Sequence, residues 1–178
     1  MVVSIGEESA GFGKGIPETE SQQVLSHLQI FELYAINRRG YEVVKYIQEG
    51  TQGRIFLGEQ KYGKRLKVAI KIVSAQKESS QNELDTLMEL KGVKNMLQLI
   101  DFFQVSDSLF LITEYIAGGD LLDALGRFKY EIQDVIKMME NVLQAVVNLH
   151  AKHIVHRDLK LENVMLYEQN NKLSEIAL

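Results

Sequence analysis

The segment His156-Arg157-Asp158-Leu159-Lys160-Leu161-Glu162-Asn163 holds three side chains spaced to converge from one loop. Asp158 can accept or orient a hydroxyl proton, Lys160 can neutralise a phosphate in flight, and the Asn163 carbonyl can offer an oxygen to a metal ion. Apolar residues bracket the run, Ile154-Val155 before it and Val164-Met165-Leu166 after it. A second candidate is Lys71, which closes the apolar stretch Val68-Ala69-Ile70. A lysine facing a cleft can hold phosphate oxygens if a carboxylate fixes it, and Glu83 downstream is placed to do so. The same pair also reads as a surface salt bridge worth little. A third candidate is Ile47-Gln48-Glu49-Gly50-Thr51-Gln52-Gly53-Arg54-Ile55. Gly50 and Gly53 let the backbone approach a phosphate and offer N–H donors, although most such pairs are simply turns.

These residues need elements to carry them. Tyr41 to Ile47, Arg54 to Gly58 and Leu66 to Val73 are β-branched or alternating runs and predict strands, with Tyr62-Gly63-Lys64 as a hairpin turn. Leu84, Leu87 and Met88 form a short helical stripe beside Glu83. Met96 to Phe103 and Leu109 to Tyr115 predict two more strands around the turn Ser106-Asp107-Ser108. After Gly118-Gly119 the period becomes helical, and Ile132, Val135, Ile136, Met139, Leu143 and Val146 mark one long amphipathic helix ending near His150. An antiparallel sheet with one helix, followed by a helical region, is an α+β arrangement.

Ahead of the first strand, Val24, Leu25, Leu28, Phe31 and Ile36 predict a single amphipathic helix over 21–37, docking on the domain or on a partner. Residues 1–20 read as a flexible leader. Their Gly11-Phe12-Gly13-Lys14-Gly15 is no P-loop, because Glu8 and Gly15 stand where that motif needs a glycine and a Ser or Thr.

Composition bounds the class. With 178 residues, one domain with a hydrophobic core is affordable. A net charge of -4 argues against a dedicated nucleic-acid binder. The absence of cysteine excludes disulfides and Cys-based zinc sites, and fits an intracellular, cytoplasmic protein. No apolar run approaches the roughly 20 residues of a membrane span.

The sequence HRDLKLEN, the run VAIK and the glycine turn, in that order, resemble the signature set of the eukaryotic-type Ser/Thr protein kinases. Leu111 to Leu121 resembles the family's fifth strand, gatekeeper and hinge, and Lys160 marks the Ser/Thr branch. The resemblance runs from about Tyr41 to Leu178. It implies a protein-kinase-like fold: an antiparallel five-stranded N-lobe sheet with one helix, then the beginning of a helical C-lobe. The implied division is leader and helix over 1–40, N-lobe and hinge over 41–116, and partial C-lobe over 117–178.

The implied function is an ATP-dependent Ser/Thr protein kinase using Mg²⁺. Ile47, Ile55, Ala69, Thr113 and Met165 would wall the adenine pocket, backbone groups of Glu114 and Ile116 would bond the adenine, and Asp120 would meet the ribose. Gly50 and Gly53 would cover the phosphates, and Lys71, paired to Glu83, would grip them. Asp158 would orient the substrate hydroxyl and Lys160 would steady the γ-phosphate. Asn163 would hold one metal ion. His156 would pack in a hydrophobic column with Leu87 and Leu99.

The pattern has departures. Gln48 replaces the loop's first glycine, and Glu175-Ile176-Ala177 stands where the family has Asp-Phe-Gly, which makes Glu175 the expected second metal ligand. The chain stops at Leu178, before an activation segment or substrate platform, so part of the long helix's apolar stripe is expected to face water or a covering partner protein. A pseudokinase, binding nucleotide or partner without catalysis, is the alternative to an enzyme acting on protein Ser or Thr.

Overall fold

The computed structural model describes residues 18–50, 53–127, 130–167 and 175–178; the side chains of 18–21 are outside that description. The leader and its glycine run therefore lie outside the described residues. Before the sheet come α1 (Glu18–His27) and α2 (Ile30–Arg38). They replace the single helix expected over 21–37. The chain breaks at Gln29, whose extended backbone opens α2 and whose N–H donates to Glu32 Oε2 at 2.9 Å. The break lets Val24 and Leu28 from one helix and Ile36 from the other reach the same apolar layer, and leaves Leu25 and Phe31 outside it.

The strands β1 (Tyr41–Gly50), β2 (Gly53–Gln60), β3 (Lys67–Ser74), β4 (Leu99–Val105) and β5 (Ser108–Glu114) form one sheet in the order β1-β2-β3-β5-β4, with every neighbour antiparallel. This is the protein-kinase-like five-stranded sheet. Side chains alternate across it. Val43, Phe56, Val68, Ile70, Ile72, Phe110 and Ile112 point to the outer face, where α1 and α2 cover them. Val73, Leu109 and Leu111 point to the other face, where α3 (Glu78–Glu89) packs through Leu84 and Leu87. Met88, read into that stripe from spacing, is half exposed.

A second core lies beyond the sheet, built on α4 (Leu121–Arg127), α5 (Ile132–Ala151), β6 (Met165–Leu166) and β7 (Ile176–Ala177). α5 buries Met138, Val142, Ala145 and Leu149. Ile132, Ile136, Met139 and Leu143, which the spacing had singled out, are on its exposed side. The helix is apolar on two faces, and only packing chooses between them. No helix among the described residues is long and apolar enough to cross a membrane.

Candidate active site

Strand alternation places Lys71. Val68, Ile70 and Ile72 belong to the outer layer, so Ala69 and Lys71 face the cleft, with Ile55 and Leu111 as Lys71's neighbours across the sheet. From α3, Glu83 Oε1 accepts a hydrogen bond from Lys71 Nζ at 2.6 Å, with the two side chains 33% and 17% exposed. That is more enclosed than an ordinary surface pair. Leu84, the next residue on α3, anchors the helix beneath the sheet and so holds Glu83 in place.

The hairpin between β1 and β2 carries the glycines. Gly50 pairs with Gly53 at its tip, and Thr51 and Gln52 lie outside the described residues. Gly53 has φ +125°, and a Cβ there would lie 2.4 Å from the Ile72 carbonyl oxygen and 2.8 Å from Val73 Cγ1. Only glycine allows this strand to cross β3 so closely. Ile47 sits at a register shift between Tyr46 and Gln48 and is 41% exposed.

The fifth strand leads into the connection. Thr113 is buried and lies opposite Ala69. The Glu114 carboxylate accepts the Gln98 N–H at 2.9 Å, so its side chain is committed away from any ligand. Ile116 is also buried. Gly118 then runs against β6: its N–H donates to the Leu166 carbonyl at 3.0 Å, and a Cβ there would lie 2.2 Å from that oxygen. The Asp120 carboxylate accepts the Asp123 N–H at 2.8 Å and so caps α4, while the Asp120 backbone bridges to Met165. This seam joins the two cores and brings Met165 beside the connection.

The catalytic-type loop follows α5. Arg157 adopts φ +65° and His156 is half buried, with its Nδ1 accepting the Asp158 N–H at 3.4 Å. Asn163 Nδ2 donates to the Asp158 carbonyl at 2.7 Å and to its carboxylate at 3.0 Å. Using its amide N–H groups in this way leaves Asn163 Oδ1 as the side chain's acceptor, the atom a cation would need. Lys160 Nζ lies 3.2 Å from Asp158 Oδ2. Hydrogen bonds from Lys160 first and Asn163 second hold the exposed Asp158 carboxyl below its ordinary pKa, so it is ionised at neutral pH.

Glu175 is placed by the pairing of the two short strands that precede and follow it. β6 and β7 pair Met165 with Ala177 and Leu166 with Ile176, and the Tyr167 N–H donates to the Glu175 carbonyl at 3.2 Å. Glu175 thus lies beside Tyr167. It lines a cavity with Lys94, Asn95 and Gln98. Of Glu175-Ile176-Ala177, the last two residues form β7. Ile176 is buried with Leu149, Val164 and Leu166, and Leu87 and Leu99 share the core beneath the sheet.

Comparison with known proteins agrees with this geometry. The profile described as the protein kinase domain matches residues 41–177. This chain belongs to the protein kinase family. It is 32% identical over 179 aligned residues to the serine/threonine-protein kinase DCLK1 of Rattus norvegicus, an alignment covering 97% of the chain and 37% of that relative. It is 31% identical to calcium/calmodulin-dependent protein kinase type 1 of Caenorhabditis elegans, over 75% of the chain and 40% of the relative. Myosin light chain kinase A of Dictyostelium discoideum is also 31% identical, over 78% and 48% respectively. The chain spans less than half the length of each of these curated relatives.

A kinase nucleotide with its metal fits the donor set. Lys71 is a fixed cation, Gly53 approaches the sheet where no side chain fits, and Asn163 offers an amide oxygen. Among the described residues no group of three or more His, Cys, Asp or Glu could hold a metal unaided. Magnesium at a nucleotide is held by one or two protein oxygens together with phosphates. Three features of this kinase domain escaped sequence reasoning. Gly118 had a signal in the Gly118-Gly119 pair, read only as the point where the helical period begins and as part of the hinge-like segment. Tyr167, whose phenol burial and a hydrogen bond to Glu114 push well above its ordinary pKa, had none. Nor did the pair of Glu32 with Arg54.

Proposed function

We propose that the chain carries the nucleotide cleft and catalytic loop of an ATP-dependent Ser/Thr protein kinase. The carrying observation is that Lys71 is held by Glu83 while Asp158, Lys160 and Asn163 are hydrogen-bonded into one cluster. ATP with Mg²⁺ supplies the electrophilic phosphoryl group when bound. Ile47, Ile55, Ala69, Thr113 and Met165 wall the adenine site, Glu114 and Ile116 bond the base through their backbone, and Asp120 meets the ribose with whatever capacity its helix cap leaves. Gly50 and Gly53 cover the phosphates, Lys71 grips them, and Asn163 Oδ1 serves as the metal ligand.

In the transfer itself, a substrate Ser or Thr oxygen forms a bond to the γ-phosphorus as the bridging P–O bond breaks and ADP leaves. Asp158, kept ionised, orients the hydroxyl and accepts its proton. Lys160 neutralises charge on the transferring group. A pseudokinase that binds nucleotide without turnover is the alternative, and phosphotransfer by the wild type that is lost in Asp158→Asn rules it out.

The test is a thermal melt titrated with ATP and magnesium. A saturating ligand should raise stability by about 2.7 kcal/mol at a hundred times its Kd, and Lys71→Met should abolish the shift. Phosphotransfer to a Ser/Thr peptide should fall roughly 10²–10⁴-fold in Asp158→Asn with the melt shift retained. No shift in the wild type would refute the proposal.

A further inference from the structure

The helices α1 and α2 lie outside the kinase-domain match at 41–177, yet they are built into the outer face of its sheet. Within that apolar layer sits a carboxylate. Glu32 is fully buried, and its oxygens accept from Arg54 Nη1 at 3.0 Å, Arg54 Nη2 at 2.7 Å, Ser108 Oγ at 3.1 Å and the Gln29 N–H at 2.9 Å. Arg54 Nη1 also donates to the His27 carbonyl at 2.6 Å. Arg54 follows Gly53 directly and pairs with Glu49 across the glycine hairpin. On the other arm of that hairpin, the Tyr46 ring stacks on His27 with centroids 4.0 Å apart and planes 20° apart. Both arms of the hairpin are therefore gripped from outside by the same helical cap.

Adhesion alone does not require this arrangement. Val24, Leu28 and Ile36 already bury the cap against the sheet, and a buried ion pair adds little net stability over an apolar replacement. Its forked geometry does fix direction, because a guanidinium meets a carboxylate in one plane. We propose that Glu32 is a positioning residue for nucleotide binding, setting through Arg54 the height of the glycine hairpin over the phosphates. The proposal rests on the nucleotide-cleft reading above. Glu32 lies on the sheet face opposite Lys71, so it acts only through the strand.

The readout must separate positioning from general stability. The glycine hairpin faces the phosphates, so adenosine, which lacks them, is the internal control. The dissociation constants of Mg·ATP and of adenosine are measured by calorimetry on the whole chain, well below its melting temperature. In Glu32→Gln the ATP constant is expected to rise about threefold to tenfold, the scale of coupling through a strand, with the adenosine constant unchanged. Arg54→Lys and His27→Ala should change ATP binding in the same direction, and they decide by the same criterion if Glu32→Gln does not fold. Equal loss of both ligands, or no loss of either, would overturn the proposal. A wild type that binds adenosine and ATP alongside unaffected variants overturns the coupling alone. A wild type that binds neither overturns the nucleotide cleft and the coupling together.

Discussion

Lys71 and Gly53 show how individual residues gain meaning from their neighbours. A lysine at the end of an apolar run is common, but one held at 2.6 Å by a helix carboxylate beneath the same strand has a fixed direction. Gly53 is constrained by the Ile72 backbone and the Val73 side chain of β3. Ile72, whose carbonyl a Cβ would strike, is itself paired with Arg54 and Phe110 and cannot retreat. Gly53→Ala should therefore cost roughly 1–3 kcal/mol in a urea melt. Gly50→Ala, with nothing within 4 Å of its Cβ position, should stay within about 0.5 kcal/mol of wild type. Similar losses at both positions would mean that the close approach to β3 is not what selects glycine.

At the scale of elements, the cap is held by two charged contacts besides its apolar face. The Arg39 fork donates to both Asp101 oxygens, at 2.7 and 2.8 Å, and holds that carboxyl below its ordinary pKa. For Glu32, burial is the largest single influence and pushes the pKa up. The hydrogen bonds from Arg54, the Gln29 N–H and Ser108, with the Arg54 charge, outweigh it, so the carboxyl titrates below its ordinary value. A carboxyl held low in the folded state contributes stability above its unfolded pKa and loses it as pH falls through the folded one. The melting difference between wild type and Glu32→Gln should thus be widest at neutral pH, equivalent to roughly 1–3 kcal/mol. It should close in acid, where the wild type also carries a neutral carboxyl. A gap independent of pH would mean that the ionised pair contributes nothing.

Across the whole molecule, two packed regions meet at the seam formed by Gly118, Asp120 and β6, and α5 is the backbone of the second. α5 buries Leu149 and leaves Leu143 60% exposed, although both are leucines on one apolar helix. Leu149→Ala should cost about 2–5 kcal/mol, whereas Leu143→Gln should change stability by no more than about 0.5 kcal/mol. Chemical denaturation of the two variants checks the rotation of the helix. The reverse order would put the packed face on the stripe that spacing alone selected.

Local chemistry and periodicity were enough for the strands, the Lys71–Glu83 pairing and the Asp158-Lys160-Asn163 loop, because each depends on residue types within one element or on alternation with a period of two. The five-stranded sheet followed from the same alternation. Three matters needed the tertiary structure. Spacing could not choose between two apolar faces of α5, since both have helical period and only contact with Leu166 and Ile176 distinguishes them. A motif alignment names Glu175 but says nothing of its neighbours; strand register decides those, and it sets Glu175 beside Tyr167. Finally, Glu32 carries no signal in the sequence and is buried in the fold. Its partners Arg54 and Ser108 are remote in sequence, so nothing short of the folded sheet could reveal a charge buried for the sake of geometry.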